Sequence, residues 1–288
     1  MYNFTKQTKR YKMNIAIIGL GLMGGSLALS LKSQDYVTTI VGYDHNEEHK
    51  KQAMELGLVD EIVSFAQVKK CDVIILAIPV NGVIASLNEM KDIAKETTII
   101  DLGSTKEKIV ASVPQEIRKN FVAAHPMTGT ENFGPKAALE GLYEDKVVVL
   151  CDLEDSGKHQ SDVAKQIFSS LNMNLSFMRA KEHDRHAAFI SHMPHAVSYS
   201  IANAVMKQEN KHNILALAAG GYRSMSRLAK SSPYMWEDIF RQNKTNLLEA
   251  ITHFEQELSQ LKKAIQEDDW ERVHQEMSDG NKLHDILD

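Results

Sequence analysis

The sequence predicts an α/β fold, a parallel sheet covered by helices on both faces, followed by an all-helical region. Two observations carry that prediction. From residue 13 to about residue 179, short β-branched runs alternate with longer helical ones, and beyond that point the strand signals stop. The strand runs, VIILAI among them, are apolar at nearly every position rather than at every second one, as a sheet buried on both faces requires.

The elements follow in order. NIAIIGL opens the first strand and LMGGSLALSLKS its crossover helix; TTIVGYD with NEEHKKQAMELG, CDVIILAIP with VNGVIASLNEMKDIA, and TTIIDLGS with TKEKIVASVPQEIRK repeat the pair before NFVAAHP. Each connection is long enough to hold the helix that joins parallel strands. KVVVLC and LSFM add two strands with a helix near residues 158–171 between them. HAAFISHMPHAVSYSIANAVM reads as helix interrupted at Pro194, and NLLEAITHFEQELSQLKKAI spaces Leu247, Leu248, Ile251, Phe254, Leu258, Leu261 and Ile265 at helical intervals. The expected organisation is an extension over 1–12, a sheet domain over 13–179 and a helical domain over 180–288. SSP at 231–233 is the clearest break in the helical part, and no internal repeat occurs.

Composition narrows the function. The 288 residues carry a formal net charge of -5, which offers no basic surface to a nucleic-acid backbone or to an anionic membrane. No run reaches the roughly 18 apolar residues of a spanning helix, and MYNFTKQTKRYK lacks the apolar core of a secretory signal. Cys71 and Cys151 both lie in apolar strand runs and are too few for a disulfide framework, so a reducing cytoplasm is the expected location.

GLGLMG places Gly19, Gly21 and Gly24 in G-x-G-x-x-G form directly after a strand and at the start of a helix. Gly19 makes the tight turn, Gly21 admits a pyrophosphate against the backbone, and Gly24 lets helix pack close to strand. The N–H groups of the helix start, at Leu22 and Met23, face the phosphates. Asp44 stands twenty residues past Gly24 at the end of the second strand, where a carboxylate accepts from the ribose hydroxyls of NAD and repels the extra phosphate of NADP. The sheet domain is thus expected to be a Rossmann domain with NAD as cofactor. Pro79, in LAIP, and the DLGS stretch at 101–104 end later strands at the same edge and border the nicotinamide half, although Pro79 and Asp101 could equally be loop punctuation.

Fold alone leaves the reaction open. DLGSTK (101–106), AHPMTGTE (124–131), EHD (182–184), SHMPH (191–195) and SRLAKSSPYMW (226–236) occur in an order and spacing that resemble the prephenate dehydrogenase family of tyrosine biosynthesis, from Met13 to at least Trp236. The resemblance implies NAD-dependent oxidation of prephenate at its ring C4 carbon, with loss of the ring carboxylate as CO2, to give 4-hydroxyphenylpyruvate. It implies a homodimer through the helical domain. It also assigns residues: His125 to the hydroxyl proton, Ser104 to the same hydroxyl and the nicotinamide side, Ser191 to a further contact there, and Arg227 to the side-chain carboxylate. Thr130 and His195 match positions that line the substrate pocket, and Trp236, Glu131 and Asp184 match positions that close or order it.

A neutral imidazole suits the proton role because its ordinary pKa lies near neutrality, and a guanidinium fork suits a carboxylate. Each has a plainer reading: His125 as a strand-end histidine satisfying backbone groups, Arg227 as a surface ion-pair partner with Arg223 as local competitor. Some relatives place an acid three residues before the arginine, where this chain has Ser224. His183, His186, His192 and His195 do not follow a zinc spacing and read as packing or pocket histidines; the reaction needs no metal. Residues 13–288 leave no room for the chorismate mutase or ACT domains some relatives carry, so tyrosine inhibition is expected at the active site itself. Arogenate dehydrogenase, a β-hydroxyacid dehydrogenase and an NAD-sensing protein without turnover are the alternatives.

Overall fold

The computed structural model describes residues 12–287. The 1–12 extension, apart from Lys12, therefore lies outside the described residues. Eight strands form one sheet in the order β3-β2-β1-β4-β5-β6-β7-β8. They are β1 (Met13–Ile18), β2 (Val37–Tyr43), β3 (Glu61–Ile62), β4 (Val73–Leu76), β5 (Thr98–Asp101), β6 (Phe121–Pro126), β7 (Val147–Cys151) and β8 (Asn174–Met178). The crossovers carry α1 (Leu22–Lys32), α2 (Glu47–Glu55), α3 (Phe65–Val68), α4 (Val80–Glu89), α5 (Glu107–Ala111) and α6 (Lys158–Ser170).

Strand residues alternate between two cores. Ile15, Ile17, Val73 and Ile75 join Leu27, Leu31, Ile167 and Phe168 under α1 and α6. Ala16, Ile18, Ile74 and Leu76 join Val68, Val83, Leu87 and Ile109 under α3, α4 and α5. On the central strands β1, β4, β5 and β6 both faces are covered, so nearly every position there is buried.

Two features depart from the expected pattern. Pro114 cuts the long helix foreseen after β5: α5 ends at Ala111 and only a 3-10 turn, Gln115–Ile117, follows, because proline cannot donate to the helical ladder. The sheet is also not wholly parallel, since β7 runs antiparallel to β6, pairing His125 with Val149. Residues 127–146 hold only a 3-10 turn, Pro135–Ala137, and so provide no crossover helix; the chain turns at the carboxyl edge and runs back. That leaves a long loop where open α/β sheets bind ligands.

After the sheet come α7 (Ala180–Ala187), α8 (Met193–Met206), α9 (Lys211–Ala216), α10 (Gly220–Ser226) and α11 (Pro233–Gln242). A π-helical turn, Ala188–His192, joins α7 to α8 just before Pro194. The wider turn absorbs the residue without an N–H and lets α7 and α8 run on. Ser232 accepts from the Met235 N–H and Pro233 occupies the first turn, so SSP starts α11.

The chain divides into two compact units, one ending at Asn243 and one starting at Lys244. The second unit consists of α12 (Lys244–Gln266), α13 (Trp270–Asn281) and α14 (His284–Leu287). In α12, Leu247 and Ala250 are buried, whereas Leu248, Leu258 and Ile265 of the apolar stripe are exposed. No helix among the described residues is long and apolar enough to cross a membrane.

Candidate active site

Sheet register puts the motif residues in one row. Ile18, Tyr43, Leu76, Asp101 and Ala123 are lateral neighbours across β2-β1-β4-β5-β6. One to three residues beyond that row come Gly19, Asp44, Pro79, Ser104 and His125. All five therefore sit at the carboxyl edge, with Gly19 just past β1, the strand at which the order reverses between β2 and β4.

The glycine loop fits a dinucleotide. Gly19 has φ +94°, and a Cβ there would lie 2.3 Å from the Ala77 carbonyl oxygen, so packing and backbone both demand glycine. A Cβ on Gly24 would meet the Gly19 carbonyl oxygen at 2.0 Å. At Gly21 the same test meets nothing within 4 Å: this glycine keeps space open rather than filling it. Gly21 is the N-cap of α1 and has no side-chain cap, and Leu22 and Met23 begin the helix, so its first amides face that space. Asp44 Oδ2 accepts from the Leu20 N–H at 2.9 Å and Oδ1 from the Asn46 N–H at 2.9 Å, which fixes the carboxylate beside the loop. Pro79 caps α4 and is exposed.

His125 lies on β6 with 8% of its surface exposed. Its Nδ1 is 2.7 Å from Nε2 of His183, and Nδ1 of His183 is 2.8 Å from Asp184 Oδ1. Asp184 also accepts the backbone N–H groups of Lys106 at 2.7 Å and Glu107 at 2.9 Å. Burial, then the proximity of His183, Lys106 and His192, holds the His125 pKa well below the ordinary histidine value. The ring is neutral at physiological pH.

Lys106 is wholly buried; its ammonium pairs with the equally buried Asp101 and donates to the Ala124 carbonyl at 2.7 Å. One side chain thereby joins the end of β5, the start of α5 and the residue before His125. A buried ion pair of this kind is costly to break, by roughly 3–5 kcal/mol, because one charge would be left uncompensated. Asp101 is thus more than loop punctuation. Ser104 is partly exposed in the short loop that Lys106 and Asp101 anchor.

The helical segment contributes the other residues. The His195 ring stacks on Trp236 at 3.5 Å between centroids and donates from Nδ1 to the Ser191 carbonyl at 2.8 Å, leaving Nε2 as an acceptor. Burial and the neighbouring charge of Arg227 depress the His195 pKa, against the opposing bond to Ser191. Arg227, 54% exposed at its side chain, faces Glu131 at 3.6 Å. Thr130 accepts the Asn132 N–H at 3.2 Å and so shapes the loop at Glu131. His192 is fully buried; its Nδ1 accepts from Asn243 at 3.0 Å, and burial lowers its pKa to about 4. Gln242, at the end of α11, bonds Lys108 at 2.7 Å and Asn81 at 3.2 Å, tying the helix that carries Trp236 to α5 and α4.

The contacts among these residues fall into three groups: His125 with His183 and Asp184, Ser191 with His195 and Trp236, and Glu131 with Arg227. Ser104 shares none of these bonds. Sequence reasoning gave His183 only a packing or pocket role and missed Lys106, Asn243 and Tyr143, whose hydroxyl donates to the Met23 carbonyl at 2.7 Å and pins the 127–146 loop to α1. Lys106 and His183 stood inside quoted motifs, and that placement was the available signal.

A glycine-cradled Rossmann edge with a buried neutral imidazole beside it defines an NAD-dependent dehydrogenase. Comparison with known proteins resolves the family. Residues 27–176 match the family model "Prephenate dehydrogenase, nucleotide-binding domain" and residues 179–279 match "Prephenate dehydrogenase, dimerization domain". Prephenate dehydrogenase of Bacillus subtilis is 33% identical over 269 residues, 91% of this chain and 72% of that protein. Cyclohexadienyl dehydrogenase of Zymomonas mobilis is 30% identical, covering 93% of this chain and 94% of that protein. The crystal structure of prephenate dehydrogenase from A. aeolicus with hydroxyphenyl propionate and NAD+ superimposes with a TM-score of 0.90 at 31% identity, over 98% of this chain and 100% of that one. The chain belongs to the prephenate dehydrogenase family.

Proposed function

We propose that this protein oxidises prephenate with NAD and releases CO2 and 4-hydroxyphenylpyruvate, the dehydrogenase step toward tyrosine. The observation that carries the reading is His125: a buried, uncharged imidazole held at the same carboxyl edge as the glycine loop, three strands along the sheet. Bound nicotinamide supplies the acceptor for the C4 hydride. His125 takes the hydroxyl proton as C–O becomes C=O. Loss of CO2 leaves its bonding electron pair in the ring, and the proton held by His125 returns to the phenolate oxygen. Ser104 donates a hydrogen bond at the reacting hydroxyl, and Ser191 adds a contact at that end.

Arg227 binds the pyruvyl carboxylate through its guanidinium fork. Thr130, Glu131, His195 and Trp236 line that end of the substrate, with Glu131 holding Arg227 in place before binding. Asp44 reads the ribose hydroxyls, while Leu22 and Met23 present amides to the pyrophosphate. Two copies associate through the region matched to the dimerization model; exposed Leu258, Trp270 and Met277 supply apolar surface for it. The two unpaired, buried cysteines accord with a reducing cytoplasm.

The test is to follow NADH absorbance with purified protein, NAD and prephenate, expecting turnover dependent on both. No NADH at high enzyme concentration would favour an NAD sensor instead. The likeness to a cyclohexadienyl dehydrogenase supports a second reading, in which arogenate is the substrate. Its reacting ring is the same, so His125 and Ser104 serve either substrate. The ratio of kcat/KM for prephenate and arogenate decides between them.

A further inference from the structure

The hydrogen bonds around His125 form a directed chain. Both Asp184 oxygens are acceptors toward the amides of Lys106 and Glu107, and Oδ1 lies 2.8 Å from His183 Nδ1. A carboxylate only accepts, so His183 Nδ1 carries a proton and, in the neutral ring, Nε2 is a lone pair. That lone pair lies 2.7 Å from His125 Nδ1, which must therefore be the donor. The remaining nitrogen of His125, Nε2, is then the basic one. We propose that His183 and Asp184 are positioning residues that hold His125 as its Nδ1–H tautomer, aim Nε2 as the proton acceptor, and spread the positive charge that forms there.

This inference rests on the reading of His125 as proton acceptor. The reverse polarity, with His183 donating to His125, would need a doubly protonated His183 or a protonated Asp184. It would also leave His125 Nε2 protonated and useless as a base. When Nε2 takes the substrate proton, the imidazolium keeps its Nδ1–H on His183, and His183 keeps its own on Asp184, so a carboxylate faces the new charge through one ring.

Other groups face His125 as well. Lys106 bears on it from the start of α5, where it pairs with Asp101 of β5, and His192 from the π turn. Lys106 and Asp101 are opposite charges paired with each other, leaving Asp184 as the anion on the side of His125 Nδ1.

The direct test is nitrogen NMR on full-length protein labelled at histidine, with the His125 signals identified as those lost in His125→Asn. The expected spectrum at neutral pH has Nδ1 protonated and Nε2 bare; a protonated Nε2 overturns the proposal. This experiment needs no turnover, so it is independent of whether prephenate is the substrate. If NADH forms from prephenate but the tautomer is reversed, only the present inference falls.

Kinetics provide the second arm. Asp184→Asn should lower kcat by about 10–100-fold, the usual cost of losing the partner that orients an imidazole. KM for NAD should stay near the wild-type value. The acid limb of kcat/KM should move to lower pH, because His125 loses an anion that favours its charged form. His183→Gln, whose amide oxygen can accept from Nδ1, should retain more activity than His183→Phe. An unmoved acid limb, or equal losses in the two His183 variants, would assign these residues to packing instead.

Discussion

His125 and Arg227, assigned to the reacting hydroxyl and the side-chain carboxylate of one substrate, are held in contrary ways. His125 is 8% exposed, lies in a strand, and has its ring fixed by a buried neighbour that is itself fixed. The Arg227 side chain is 54% exposed, sits in a 3-10 turn after a helix with no buried residue, and faces one glutamate at 3.6 Å. The difference follows the chemistry. A base must be neutral and aimed before the reaction begins, and burial accomplishes both. A carboxylate clamp must stay charged and open to solvent until its ligand arrives, when exchange of Glu131 for substrate costs about 1 kcal/mol or less.

The strongest test of this contrast is His125→Asn. Asparagine can hydrogen-bond but not take the proton, so kcat should fall on the order of 10² or more, while NAD binding measured by calorimetry is retained. Near-normal turnover would place the proton acceptor elsewhere.

The buried end should also show itself in stability. His192, wholly inaccessible, has a folded pKa of about 4 against an ordinary 6.5. Between those values the unfolded chain binds the proton that the folded chain refuses. Stability therefore falls as pH drops from about 6.5 to about 4, by up to about 3 kcal/mol, and is constant above that range as far as this group is concerned. His125 is depressed in the same sense and steepens the loss. Urea midpoints at several pH values should show the slope, and His192→Leu should flatten it; an identical slope in that variant would assign it to other groups.

The exposed end predicts the opposite profile. Arg227→Ala should leave the urea midpoint nearly unchanged and raise KM for prephenate by about 10–100-fold, the loss of charge-assisted hydrogen bonds of roughly 1.5–3 kcal/mol. A KM that stays put would move the clamp to Arg223.

The same contrast marks what was legible beforehand. Near-continuous apolar strands, glycine spacing and Asp44 are local signals, and they carried the Rossmann domain and its cofactor edge. Antiparallel β7 was not legible, because a strand's direction depends on where its connecting loop goes and not on its own residues. Pro114 lies within TKEKIVASVPQEIRK, read from sequence as one helix, and it is what ends α5 at Ala111. At the site, His125 drew attention as a histidine before a proline. His183 read only as a packing or pocket histidine, because its bond to His125 joins residues 58 apart in sequence. Lys106 closes the DLGSTK motif with no role of its own in the sequence; only the tertiary structure buries it against Asp101.

The subtlest test separates the glycines, which look alike in sequence. Gly24→Ala drives a methyl to within 2.0 Å of a backbone oxygen and should destabilise the fold by about 1–3 kcal/mol or more. Gly21→Ala meets no protein atom within 4 Å and keeps an extended φ of -75°, so the melting temperature without ligand should hold or rise slightly. The methyl would instead occupy the space left for the pyrophosphate. Thermal shifts with and without NAD should then show a normal baseline and a shrunken NAD-induced rise, corresponding to roughly tenfold weaker binding, or about 1.4 kcal/mol. An undiminished rise in Gly21→Ala would mean that the open side of this glycine is not where the cofactor lies.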